Sequence, residues 1–301
     1  MTLLSLNQLR IDDPGGQVLT SGWELAAGER SLALVGDFTP LSQLLSGQAT
    51  LAAGSALILG QPARAEVQAG RVGLLIPDLA LPRTWTVSAY LEAGGHLLGG
   101  APRQVRALAT STLQHLGLPH LGTRRIETLT LLEIRFAQLA QALLSNPGTL
   151  YLHDPFAGLS DGEATEFDAR LLHASTDKQV ILSSVSLPFA GNARAALERA
   201  DTAAVLLGGR LYAGAPSEIL NHTSGTAVTV ARNASAFAAR LGDAGVATRP
   251  DPSQLSDQGP CTLFAEGKDA DLVPTLVEAA LGADAPMLEL LPTQLAAATD
   301  A

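Results

Sequence analysis

The side chains best placed for chemistry are His153 and Asp154, which follow the short apolar run Leu150 to Leu152. That run predicts a buried parallel strand, which Pro155 ends. In an open α/β sheet, ligands bind outside the carboxyl ends of the strands, so both side chains would lie where a site forms. Asp154 could act as a base there, but we expect it to cap the loop at the strand end. Because no second His or Cys lies near His153 in the sequence, we expect a packed or hydrogen-bonded histidine rather than a metal ligand.

A second candidate is the loop after the apolar strand Ser31 to Gly36, because helix N-termini that follow strands bind phosphates. A P-loop needs a glycine-rich turn and then a lysine that reaches the β- and γ-phosphates. The only two lysines, Lys178 and Lys268, lie elsewhere in the chain. Asp37 would repel a triphosphate. We therefore expect no ordinary ATP binding here, and we expect Thr39 to cap the following helix. The candidate segment consists of Gly36, Asp37, Phe38, Thr39, Pro40, Leu41 and Ser42.

The composition of the 301-residue chain sets broad limits on its class. It is 47% hydrophobic, enough for one large domain and a small one, and its net charge is −10. That charge argues against nucleic-acid binding and against an anionic membrane patch. Cys261 is the only cysteine, which fits a reducing compartment. We find neither a signal peptide nor a membrane-spanning run, and we expect a soluble, cytoplasmic chain that contacts a membrane only through a partner.

The stretch from Thr149 to Ser160 carries a family resemblance. It reads Thr-Leu-Tyr-Leu-His-Asp-Pro-Phe-Ala-Gly-Leu-Ser and resembles the Walker B segment of an ATP-binding cassette (ABC) ATPase. The family form is four apolar residues, Asp, Glu, Pro and then a Gly-Leu-Asp loop. The resemblance implies that His153 replaces the metal-linked Asp and that Asp154 replaces the Glu that polarises the attacking water. Ser160 replaces the Asp of the loop.

The other family motifs show similar replacements. The segment Gly36 to Ser42 is about four residues shorter than the family's P-loop and lacks its second glycine and its lysine. Asp78 falls where the family has the Q-loop Gln, although a turn residue is the simpler interpretation. Val185 falls where the family has a histidine that contacts the γ-phosphate. A stretch similar to the signature Leu-Ser-Gly-Gly-Gln, with leucines in place of both glycines, consists of Leu129, Thr130, Leu131, Leu132 and Glu133.

These motifs occur in the family's order over residues 1–222, which implies the fold. We expect an α/β, ABC ATPase-like (P-loop NTPase) core with an antiparallel edge sheet and a helical subdomain at about 79–145. Residues 223–301 predict a separate unit in which the order β-α-β-β-α-β fits a small ferredoxin-like α+β domain with a frayed tail. Similar tails occur on ATPases of ABC-2-type exporters. This unit lacks clustered metal ligands, so we expect no metal.

Together the replacements predict a pseudo-ATPase that binds neither ATP nor magnesium, because phosphate binding, metal binding and water activation are all affected. The resemblance implies a structural or regulatory subunit that pairs with an active ABC ATPase paralogue and a polytopic membrane permease in an ABC-2-type transport or related complex. Through these partners it would lie at the inner membrane. Two alternatives stay open. One is an active exporter ATPase in which Asp154 is the base and Asp78 holds magnesium, and the other is a soluble scaffold.

Overall fold

The computed structural model describes residues 2–77, 79–185, 187, 191–207, 210–220, 225–246, 248–249, 257–259, 261–266 and 269–293. The chain divides into two compact units. The first covers Met1–Val185 and Ala190–Pro216, and the second covers Ser186–Phe189 and Ser217–Ala301. The boundary at Pro216 lies six residues before the predicted one at 222.

The first unit contains both strands and helices. Its strands are β1 (Leu4–Asp12), β2 (Val18–Ala27), β3 (Ser31–Val35), β4 (Thr50–Ile58), β5 (Gln61–Pro62), β6 (Val72–Leu75), β7 (Thr149–His153), β8 (Gln179–Ser184), β9 (Thr202–Leu207) and β10 (Arg210–Gly214). Its helices are α1 (Thr39–Ser46), α2 (Ala63–Gln68), α3 (Val87–Leu97), α4 (Pro102–His115), α5 (Leu131–Leu143), α6 (Asp161–Ala174) and α7 (Gly191–Glu198). The short helix α8 (Pro216–Ile219) begins at the last residue of the first unit, and its other residues belong to the second.

The strands form two sheets. An antiparallel sheet has the order β2-β1-β4-β5, which agrees with the predicted edge sheet. The central sheet has the order β10-β9-β3-β8-β7-β6 and is parallel except for the β9–β10 hairpin. All five residues of β7 are buried, because a strand inside a parallel sheet is covered on both faces. This explains the unbroken apolar run Leu150 to Leu152.

Helices α3, α4 and α5 pack on one another and form the helical subdomain expected from the sequence. Thr86 precedes α3, and its Oγ1 accepts a hydrogen bond from Ala89 N at 3.2 Å. Helix α5 ends shortly before Asn146, whose φ of +50° takes the chain out of the helical region, and Pro147 follows.

The second unit contains β11 (Gly225–Val230), α9 (Ala234–Asp243), β12 (Thr248–Arg249), β13 (Cys261–Glu266), α10 (Asp269–Ala283) and β14 (Met287–Thr293). This is the predicted order of elements. The strands form an antiparallel sheet in the order β12-β13-β11-β14. The unit has a hydrophobic core of its own, centred on Phe237, Leu241 and Leu276. Across the described parts of both units, no helix has the length and apolar character needed to cross a membrane.

Candidate functional site

Three of the candidate segments meet at one edge of the central sheet. Strand β8 lies between β3 and β7, with Val35 opposite Ser184 and His153 opposite Ser183. Because all three strands are parallel, their carboxyl ends meet at this edge, which is where a ligand would bind in such a sheet. Gly36 N donates a hydrogen bond to Ser184 O at 2.9 Å and so joins the loop after β3 to the end of β8.

The loop after β3 is collapsed rather than open. Only three residues separate the last residue of β3 from the first of α1. Gly36 has a φ of +121°, and a Cβ at this position would lie 2.9 Å from Leu206 Cβ, so the close approach requires glycine. The side chain of Phe38 is fully buried and packs edge-on against Trp23, with ring centroids 5.4 Å apart. An aromatic ring therefore anchors this short loop in the core.

The N-terminus of α1 is closed by the chain's own carboxylate. Asp37 Oδ1 accepts a hydrogen bond from Thr39 N at 3.0 Å, and Pro40 has no N–H to offer. The prediction that Thr39 caps this helix is wrong. Phe38 is the capping residue, and Thr39 already lies inside the first turn, where its hydroxyl bonds to no described residue. A phosphate approaching α1 would meet the negative charge of Asp37 next to a donor that is already used.

His153 is buried, and its Nδ1 lies 2.8 Å from Ser183 Oγ. The prediction of a hydrogen-bonded, packed histidine is confirmed. Nearby, Tyr151 Oη lies 2.9 Å from Ser42 Oγ and accepts a hydrogen bond from Ser183 Oγ at 3.3 Å. Burial raises the pKa of Tyr151 to about 12. These four side chains form a buried polar network across α1, β7 and β8, in which polar atoms satisfy one another.

Asp154 holds the end of the neighbouring strand. Its backbone is left-handed, with φ of +40°, and its carboxylate accepts hydrogen bonds from Ser184 Oγ at 3.0 Å and Val185 N at 3.2 Å. Asp154 therefore caps a turn, but this turn follows β8, whereas the sequence predicts a cap at the end of its own strand. The Val185 side chain is 45% exposed and can neither donate nor accept a proton.

The signature-like segment begins α5 with a closed cap. Thr130 N donates to Glu133 Oε2 at 2.8 Å, and Glu133 N donates to Thr130 Oγ1 at 3.3 Å, which is a reciprocal capping box. The other oxygen of Glu133 pairs with the guanidinium of Arg124. Leu131, in the position of a family glycine, is 38% exposed, while Leu129 and Leu132 are half-buried. The helix end that would face a phosphate in the family thus carries its own carboxylate.

Ser160 plays a similar part at α6. Its N and Oγ donate to Glu163 Oε2 at 2.9 and 2.8 Å, and these bonds, the backbone one foremost, lower the pKa of Glu163.

Asp78 lies outside the described residues, so its predicted role is not addressed by the structure. Ile76 and Pro77 precede Asp78 in the sequence, and Gln138 Nε2 donates to their carbonyl oxygens, both at 3.3 Å.

Sequence reasoning missed the structural roles that several residues have at this site. Glu133 and Glu163 each follow a Thr or Ser by three positions, and this spacing is a recognisable capping-box signal. Phe38 and Tyr151 carried no comparable signal, because their positions depend on contacts with distant strands and helices. Among the described residues, no group of three His, Cys, Asp or Glu side chains could hold a metal ion.

The sequence matches no protein-family model and no curated protein. Several solved structures are similar to this chain. CbiO1 from Clostridium perfringens, part of the ABC transporter complex CbiONQ, is 18% identical, with a TM-score of 0.58 over 73% of this chain and 91% of CbiO1. A nucleotide-free ATP-binding cassette from an ABC transporter is 18% identical, with a TM-score of 0.59 over 73% of this chain and 94% of that one. MJ1267, an ATP-binding cassette of an ABC transporter in its ADP conformation, is 17% identical, with a TM-score of 0.58 over 74% and 94%. The chain therefore has the ATP-binding-cassette fold over about three quarters of its length.

Proposed function

We propose that this protein is a member of the ABC ATPase family that does not hydrolyse ATP, a pseudo-ATPase subunit that binds neither ATP nor magnesium. The observation that carries the proposal is the collapsed loop after β3. Phosphate binding in this fold class needs a loop whose backbone N–H groups surround the phosphates. Here that loop has three residues, Phe38 anchors it in the core, and Asp37 occupies the first donor of α1.

Phosphoryl transfer also needs a metal ligand and a base that activates water, and the residues at both positions are used for other contacts. A metal would need a carboxylate where the chain has His153, whose ring bonds to Ser183. Water activation would need an available base, but the carboxylate of Asp154 already accepts hydrogen bonds from the turn after β8. Phosphoryl transfer depends almost entirely on positioning and charge stabilisation, so these losses together argue against turnover.

The fold supports the proposal of a structural or regulatory role in a transport complex. CbiO1, which has the same fold, is part of an ABC transporter complex. We propose that this chain pairs with an active ABC ATPase paralogue and a polytopic permease of ABC-2 type, on the cytoplasmic face of the inner membrane. We also propose that the second unit is a ferredoxin-like domain, which its β12-β13-β11-β14 strand order supports.

Nucleotide binding and turnover test the proposal directly. The purified full-length chain is titrated with Mg-ATP by calorimetry, and phosphate release is followed in parallel. We expect neither signal to rise above that of a heat-denatured sample. Hydrolysis that Asp154→Asn abolishes, and that the matched variant Asp37→Asn leaves intact, would instead establish the active-ATPase alternative.

The partners are tested by native purification in mild detergent from the source cell. We expect a polytopic membrane protein and an ATPase with an intact Gly-Lys-Ser/Thr loop to co-purify with the chain. Recovery of neither partner would contradict the subunit role and favour the soluble scaffold.

A further inference from the structure

Charge is distributed unevenly along this acidic chain. The helical segment at 79–145 holds six arginines and three glutamates, a net charge of +3, which leaves −13 on the rest of the molecule. The helical subdomain is therefore basic, although the whole chain has a net charge of −10. The arginines are Arg83, Arg103, Arg106, Arg124, Arg125 and Arg135.

The same subdomain exposes apolar side chains at one tip. Helix α3 ends at Leu97, which is 89% exposed, the highest fraction among the large hydrophobic side chains that the structure describes. Leu98 follows and is 41% exposed. The side chain of Leu98 lies next to Gly70, and Leu97 is therefore the leucine that is mostly exposed to water. Such an exposed leucine gains free energy when another apolar surface covers it.

The turn that joins α3 to α4 holds this tip in a fixed shape. Gly100 N donates to Gly95 O at 3.0 Å, and a Cβ on Gly100 would lie 2.5 Å from Val105 Cγ2. Gly99 has a φ of +82°, a conformation that favours glycine. The end of α3 and the start of α4 are therefore tightly joined, and Leu97 is the mostly exposed leucine at this junction.

Basic side chains follow immediately on α4. Arg103 and Arg106 line an open hollow of about 500 Å³ together with Thr110 and Gln114. Arg106 is 77% exposed and has only a loose pairing with Glu92 at 3.7 Å, while Arg103 forms no side-chain hydrogen bond or ion pair with any described residue. The first turn of α4 contains no acidic residue, so the positive end of the helix dipole adds to the field of the arginines.

We propose that the α3–α4 tip, residues 96–106, binds an anionic lipid surface directly. Leu97 would enter the interface between headgroups and acyl chains, while Arg103 and Arg106 pair with lipid phosphates. Exposed leucines alone would suit many apolar partners, and arginines alone would suit any polyanion. Their combination at the junction of α3 and α4 fits a surface that is apolar beneath an anionic layer. The inference goes beyond the proposed function, in which partners alone bring the chain to the membrane.

Vesicle flotation tests this binding with the full-length chain and no partner present. Vesicles of phosphatidylcholine alone are compared with vesicles in which one lipid in four is phosphatidylglycerol. We expect binding to the anionic vesicles only, weakened by added salt. The pair Arg103→Gln and Arg106→Gln should lower the partition coefficient roughly tenfold, and Leu97→Ser should lower it about fivefold.

Matched variants control for general loss of charge or apolar surface. Leu281→Ser removes a leucine that is 78% exposed in the second unit, and the pair Arg10→Gln and Arg71→Gln removes two arginines from the surface of the first. These variants should bind like the unaltered chain. Because every substituted residue is at the surface, an unchanged melting temperature is expected throughout.

Several outcomes would overturn the inference. They are equal binding to both kinds of vesicle, no binding to either, or binding that the tip variants leave unchanged. Self-association that Leu97→Ser abolishes, without vesicle binding, would show that a second copy covers the tip. Binding of a polyuridine RNA that the arginine variants abolish, without vesicle binding, would show a nucleic-acid surface instead. None of these results bears on ATP turnover, so the proposed pseudo-ATPase role is tested separately.

Discussion

Tyr151 lies on the strand that leads to His153 and Asp154, and its side chain is fully buried. Its hydroxyl lies within hydrogen-bonding distance of Ser42 Oγ and Ser183 Oγ, which belong to two neighbouring elements. A buried polar group is costly unless it is hydrogen-bonded, so these side chains stabilise the fold only as a set. At this edge of the sheet, residue types that could bind a ligand are instead used to join α1, β7 and β8.

Alkaline pH should expose the contribution of Tyr151. Burial raises its pKa from 10.0 to about 12, and burial also raises that of Tyr90 to about 12. As the pH rises, the unfolded chain loses these phenolic protons before the folded chain does. The stability that the two protonated tyrosines contribute is therefore complete below pH 10 and is lost as the pH rises towards 12. We expect the free energy of unfolding to fall by about 1.4 kcal/mol per pH unit for each tyrosine in this window.

Urea titrations between pH 9 and pH 12 measure this slope. Tyr151→Phe should reduce it by about one half, and Tyr90→Phe should remove much of the remainder. Tyr151→Phe should also lose about 1 kcal/mol at neutral pH through its missing hydrogen bonds. An alkaline slope that Tyr151→Phe leaves unchanged would contradict this account.

Whether the role of a residue can be predicted from the sequence depends on whether its contacts are with residues near it in the chain or far from it. The apolar run Leu150 to Leu152 predicts a buried strand because the pattern is local. The collapse of the loop at Phe38 depends on Trp23 in β2, a partner fifteen residues away in the sequence, and on the close approach of Leu206 to Gly36. The missing lysine predicts that the loop does not bind phosphate in the ordinary way, but it does not say what fills the space. That information lies in tertiary packing.

At the scale of elements, two helices that begin near the candidate site carry caps of the same kind. Thr130 precedes α5 and bonds to Glu133 in its first turn, and Ser160 precedes α6 and bonds to Glu163 in the same way. In each, a glutamate in the first turn accepts a hydrogen bond from the backbone of the capping residue. A carboxylate in this position also favours the positive end of the helix dipole. Local spacing is enough to predict such caps, whereas the pairing of Glu133 with Arg124 is not visible in the sequence.

Removing the cap of α5 should destabilise the helix without affecting any nucleotide chemistry. Thr130→Ala loses the bond from Glu133 N, and we expect about 1 kcal/mol less stability in urea unfolding. Faster amide exchange in the first turn of α5 should accompany it. Thr123→Ala is the matched control, because Thr123 is exposed and its side chain bonds to no described residue. Equal stability of the two variants would show that the capping box of Thr130 and Glu133 does not stabilise α5.

At the scale of the whole molecule, each unit has a hydrophobic core made from its own residues. The core around Phe38 and Trp23 draws on β1 to β4, α1 and neighbouring elements of the first unit. Among the described residues, the core around Phe237 consists of side chains from β11, β13, β14, α9 and α10 and from the turns beside them. The sequence predicts this division from the change of pattern after β10, and a domain with its own core can in principle fold alone.

Separate cores predict separate unfolding transitions. Phe237→Ala truncates a fully buried side chain, and we expect a loss of about 3–5 kcal/mol confined to the second unit. Phe38→Ala truncates an equally buried ring and should act on the first unit. Scanning calorimetry of the full chain should show two transitions, of which each variant lowers one. Amide exchange read separately on β7 and β11 assigns each transition to its unit. If both variants lower both transitions by equal amounts, the two cores unfold as one, and the assignment of independent units is wrong.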